Sequence, residues 1–240
     1  MSRELAWGTM AGVAPPDERC IKWSATAGTL APIWFWLTLT VLDLVYGTVD
    51  VSGHQLRSLG VLMYVGFLAY GALTLVMVRG LRRRMPPRKT SPPAMAALVL
   101  LGCGPLLATF TMGSEQGPPQ SWHGWLHFAG FLLLSLMPIL AMPLFGSAVW
   151  HDGNWRPLGP FSLAWGIVVA VVVFLPSTPA DGYAIWAGPG SLAEIVLIGL
   201  WQIVVSRRLS RLARRAPSTP ATGAGPTAEN VDGGQESRTS

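Results

Sequence analysis

The chain has 240 residues, half of them apolar and only 12% charged, with 17 basic against 12 acidic side chains and a net charge of +5. Charge this sparse, set between long apolar runs, leaves no material for a soluble second domain. It also excludes a folded nucleic-acid reader, so no nucleic-acid partner is expected.

Residues 1–25 open the chain with polar material that includes Pro15 and Pro16, and read as a flexible N-terminus. Six apolar stretches follow, at about 28–47, 60–78, 94–112, 124–149, 158–177 and 190–206. Each is long enough to cross a hydrocarbon layer of ~30 Å as a helix, which takes about 20 residues. The first run starts late and has full membrane length, so it reads as a retained anchor and not a cleaved signal. In the third, Leu101-Gly102-Cys103-Gly104-Pro105 reads as a small-residue packing face, with Cys103 too far from Cys20 for a disulfide. Pro138 and Pro143 are interior to the fourth run and predict a bend there. Residues 213–240 lack large apolar side chains and predict a disordered tail.

Charge sets the expected orientation. Arg79, Arg82, Arg83, Arg84, Arg88 and Lys89 lie between the second and third runs, and Arg207, Arg208, Arg211, Arg214 and Arg215 follow the sixth. With an even number of crossings both clusters share a side with the N-terminus. Basic short links stay cytoplasmic, so the expectation is an all-α bundle of six transmembrane helices in the cell membrane, both termini cytoplasmic. The basic band then faces anionic headgroups, and the lipid bilayer is the first partner. Trp23, Trp150 and Trp155 on the inner side, and Trp122, Trp125 and Trp186 on the outer, read as interfacial belts.

Ionisable groups within the spans carry the functional expectations, because charge is costly in lipid. Asp43 in the first run and Glu194 in the sixth are the two acids. By helix rise each lies ~20 Å above the inner end, which reads as the outer third. His127 opens the fourth run at the same expected level, four residues after His123, a spacing that puts both rings on one helical face. Two chemistries follow. Asp43 or Glu194 would act as a general acid with His127 orienting or accepting a proton, or His54, His123 and His127 would hold zinc. A plain structural alternative has His127 tie helices together through Asp43 or Glu194.

The chain resembles the bacterial membrane family called domain-of-unknown-function 998 over roughly residues 26–212. The carrying segments are Ala27-Gly28 with Pro32 and Phe35, Tyr46 with Arg57-Ser58-Leu59-Gly60, and Phe67 with Gly71. Further on come Phe110, Gly124-Trp125-Leu126-His127, Asn154-Trp155-Arg156-Pro157-Leu158 with Phe161-Ser162-Leu163, and Trp201. The resemblance implies a compact bundle, mostly of six spans, with no established activity. Where relatives carry an acidic turn, this chain has Phe110-Thr111-Met112-Gly113, and Ile195 stands where an Arg follows Glu194 in the family pattern. His127 is the matching polar position that remains. The functional expectation is a bundle that binds a lipid or a membrane partner through a polar pocket near the outer leaflet. The alternative is an intramembrane enzyme on a lipid or isoprenoid ligand, working by terpene-cyclase-like acid catalysis or as a zinc hydrolase.

Overall fold

Each apolar run becomes one helix. The computed structural model describes residues 18–47, 55, 58–110, 119, 121–174 and 189–215. They form α1 (Glu18–Tyr46), α2 (Gly60–Arg84), α3 (Ser91–Ala108), α4 (Trp122–Val149), α5 (Leu158–Phe174) and α6 (Pro189–Arg215). There is no strand among the described residues. Four helices, α1 to α4, are long and apolar enough to cross a membrane, and α5 is a shorter apolar helix.

Two boundaries differ from expectation. α1 starts at Glu18, so residues 18–25 of the expected flexible N-terminus are helical, with Ile21, Ser24 and Ala25 buried. α6 runs on through its basic residues to Arg215. Hydropathy marks only the apolar middle of a helix, whereas Lys, Arg and Glu are good helix formers that prolong it beyond that middle. Residues 1–17 and 216–240, the remainder of the two expected flexible ends, lie outside the described residues.

Local chemistry sets several ends. Gly47 terminates α1 at φ 65°, its N–H bonded to Asp43 O at 2.8 Å, a backbone shape that favours glycine. The Tyr46 hydroxyl then receives the Leu59 N–H at 2.7 Å and pairs with Ser58 Oγ at 3.1 Å, which fixes the α1–α2 hairpin. Ser121 caps α4 by accepting the Gly124 N–H at 3.2 Å. Inside α1, Thr29 and Thr38 donate to the carbonyls of Ala25 and Trp34, so neither hydroxyl is left unpaired in an apolar setting.

The helices pack in chain order around a ring, α1 against α2, α2 against α3, and so on, with α6 closing on α1. α2 and α6 also touch across the middle. Glycines set the closest crossings. A Cβ on Gly104 would stand 2.9 Å from Gly130 O, and one on Gly130 would stand 2.4 Å from Ala108 N, so α3 and α4 meet backbone to backbone. Gly102 turns to α2 instead, where Gly71 faces its carbonyl. The small-residue motif of α3 therefore serves two neighbours.

Large aromatic side chains fill the ring. Phe35 stacks on Tyr70 at 5.0 Å and tilts against Phe67 at 5.1 Å. Toward the Arg-rich end, Phe145 meets Trp155 and Trp201 edge-on at 5.9 and 5.5 Å. The outer surface is the reverse of a soluble one: Leu30, Ile33, Leu37, Val41 and Leu44 form an exposed apolar strip along α1, and Ile167, Val171 and Phe174 do so on α5. Trp23, Trp122, Trp125 and Trp150 are exposed near helix ends, as an interfacial belt requires. Trp155 is not part of that belt. It is buried, its indole N–H donating to Arg84 O at 3.2 Å, and it plugs the Arg-rich end of the core. Trp186 lies outside the described residues.

Candidate functional site

α6 presents Glu194, Ile198, Gln202 and Ser206 at four-residue spacing, and all four are buried toward the centre of the ring. Glu194 Oε2 accepts a hydrogen bond from Ser135 Oγ of α4 at 3.3 Å. Its Oε1 is buried and has no donor among the described residues. Two turns along α6, Gln202 Nε2 donates to Thr74 Oγ1 of α2 at 3.2 Å, and its Oε1 is likewise buried without a donor. Tyr70, one turn before Thr74, is close enough to the Glu194 carboxylate and to the Gln202 side chain to interact with both. One turn beyond Gln202, Ser206 Oγ donates to Met77 Sδ at 3.2 Å. The result is a column of polar side chains between α2, α4 and α6, with an aromatic wall at Phe35 and Phe67.

Depth follows from the partner. Ser135 lies thirteen residues from Trp122 and fifteen from Trp150, the exposed tryptophans at the two ends of α4. Glu194 is thus at mid-height of the bundle, not in its outer third. It has a relative exposure of 5%, which leaves no route for its carboxylate to bend out to water.

His127 does other work. It is buried with Nδ1 2.6 Å from Phe110 O and 2.9 Å from Ala108 O. Both neighbours are carbonyls, so Nδ1 carries the hydrogen and, in the neutral ring, Nε2 is the lone-pair nitrogen. These carbonyls belong to the end of α3, where no further turn supplies N–H groups. Gln55, buried in the link before α2, donates its Nε2 to the same Ala108 O at 2.8 Å. His127 and Gln55 together cap α3. Nothing about Gln55 in the sequence marked it beyond its place in a short link.

Of the three residues expected to cluster, Glu194 is not brought together with Asp43 or His127. His127 is eight residues before Ser135 on α4, which is ~12 Å along the axis from the Glu194 level. Asp43 is eight residues beyond Phe35, the residue stacked on Tyr70, and so about the same rise away. It is half-buried at the end of α1. His127 Nδ1 bonds α3 carbonyls and not an acid. His123 does sit four residues before His127 within α4, half-buried and edge-on to Trp122 at 5.5 Å. The third expected zinc ligand, His54, lies outside the described residues, and no group of three metal-binding side chains occurs among those described.

A first expected outcome concerns the cap. His127→Leu strips the donor from the part-buried Phe110 O while keeping the volume, and should lower unfolding stability in detergent by about 1 kcal/mol, the net value of a hydrogen bond. An unchanged thermal midpoint would show that the α3 end does not need it.

Compared with family models, with curated proteins and with solved structures, the chain matches none. Its class rests on its own geometry. A helical ring with an apolar exterior, four membrane-length helices and its few buried polar groups facing inward is a membrane protein.

Proposed function

We propose that the protein is a six-span bundle of the cell membrane, both termini cytoplasmic, that binds a proton or a small monovalent cation at Glu194. Orientation is supported by charge: every Lys and Arg among the described residues belongs to the end formed by the start of α1, the α2–α3 and α4–α5 links and the end of α6. The ligand reading rests on one observation, the mid-height carboxylate with an unfilled oxygen. An isolated charge there is costly, and groups that persist in such places mark ion or proton sites. Tyr70 and the rings packed on it, Phe35 and Phe67, are all buried, so a small ligand suits the unfilled oxygens better than a lipid headgroup does. Gln202, Thr74 and Ser206 extend oxygen-bearing groups from that site toward the Arg-rich end.

The test uses protein reconstituted in liposomes, with proton or sodium uptake followed under an imposed potential. Wild type is expected to take up one of the two ions, and Glu194→Gln, which keeps size and hydrogen bonding, to fall to the rate of protein-free vesicles. Uptake by a folded Glu194→Gln variant at the wild-type rate would defeat the proposal.

A second reading, acid catalysis on an isoprenoid chain, draws on the aromatic rings beside the same carboxylate, which suit a cationic intermediate. Incubation with a polyprenyl substrate separates it, since only this reading expects a cyclised product that Glu194→Gln abolishes. The resemblance to the domain-of-unknown-function 998 family is carried into this proposal as one of architecture. Its Gly124–His127 segment falls at the α3 cap and its Asn154–Leu158 segment at the turn plugged by Trp155.

A further inference from the structure

The Arg-rich end holds a second constellation, independent of Glu194. The turn between α4 and α5 is pinned from two sides by arginines of other helices. Trp155 donates its indole N–H to Arg84 O at the end of α2. The preceding residue, Asn154, offers its carbonyl to the Arg208 guanidinium of α6, with Nε at 2.6 Å and Nη2 on the same oxygen. The Arg208 guanidinium and the Arg84 main chain are therefore held by consecutive residues of one turn.

Among the described residues, neither guanidinium has a carboxylate partner. Arg84 Nε is buried without an acceptor among the described residues. The nearest carboxylate in sequence to that turn, Asp152, uses Oδ1 to accept the N–H groups of Asn154 and Trp155 at 2.9 and 3.2 Å, so it holds the turn's shape. The other acid described at this end, Glu18, pairs with Lys22 at 3.7 Å on α1.

An apolar track leads to the same place. Val196, Leu200 and Val204 are exposed at four-residue spacing on α6, and the next residue of that ridge is Arg208. A long hydrocarbon strip ending at an anchored guanidinium matches a phospholipid, which has a chain, then a phosphate, at that spacing. Guanidinium is the side chain best shaped to bind two phosphate oxygens at once.

We propose that one anionic phospholipid binds here, its phosphate held by Arg208 and Arg84 and an acyl chain laid along the Val196–Leu200–Val204 ridge. The site differs from a diffuse basic band in naming two arginines out of many. Protein in neutral detergent is titrated with phosphatidylglycerol or phosphatidylcholine, and retained lipid is counted by native mass spectrometry. Phosphatidylglycerol is expected to be retained over phosphatidylcholine. The double variant Arg84→Gln with Arg208→Gln should weaken that binding about tenfold or more, while the charge-matched Arg82→Gln with Arg83→Gln, at exposed positions, should stay within about twofold. Equal losses from both doubles would overturn the site in favour of unspecific charge. Displacement of the lipid by inorganic phosphate at the same concentration would overturn the lipid as its source. Should the first double fail to fold, Leu200→Gln on the exposed ridge replaces it: loss of phosphatidylglycerol with unchanged unfolding supports the track, and full retention refutes it.

Discussion

Trp201→Ala is expected to cost about 3 kcal/mol or more, the range for emptying a large buried aromatic site. Trp201 is fully buried, edge-on to Phe145, and its indole N–H donates to Ser162 Oγ at 2.9 Å. Truncation thus removes ring contacts from α4 and a hydrogen bond from α5 in one step. In a bilayer the unfolded reference also keeps apolar groups out of water, so the transfer part of the usual cost shrinks and the cavity part dominates. Trp201→Phe separates these effects. It retains an edge for Phe145 and loses the donor and part of the ring volume, so a smaller cost of about 1–2 kcal/mol is expected. Unfolding followed in detergent by denaturant titration checks both, and equal losses would mean that the hydrogen bond, not the ring, holds the three helices.

The helices were legible in hydropathy because lipid demands long apolar runs and backbone bonds closed within each segment. The parts that escaped are those where a residue's sequence neighbours differ from its neighbours in space. Trp155 sits between Asn154 and Arg156 and so looks interfacial, yet Phe145 and the end of α2 enclose it. Glu194 shows a subtler failure. Its height above Arg207 was read correctly from helix rise, but α4, which faces it, spans 28 residues and so ~42 Å, making ~20 Å the middle of the bundle and not its outer third. Partners of Glu194 come from α2 and α4, and single-sequence periodicity holds no information on which helices adjoin. His127 is a buried polar group whose partners are backbone carbonyls, which no side-chain pattern reveals.

A graded glycine series tests the ring itself. At Gly130 an added Cβ would meet Ala108 N at 2.4 Å and Gly104 O at 2.6 Å, all backbone of α3, which yields only if the helices move apart. At Gly28 the clashing atoms are Ser206 Oγ at 2.2 Å and Met77 Sδ at 2.4 Å, and the methionine can change rotamer. At Gly153 nothing stands within 4 Å. Alanine is therefore expected to destabilise most at Gly130, by about 3 kcal/mol, by about 1 kcal/mol at Gly28, and within about 0.5 kcal/mol at Gly153. The order matters more than the magnitudes, because it depends only on whether the obstacle is main chain or a flexible side chain. Thermal unfolding of the three variants in one detergent reads it directly. A Gly130→Ala protein as stable as Gly153→Ala would mean that α3 and α4 are not in backbone contact, and the α3 cap built on His127 and Gln55 would lose its geometric basis with them.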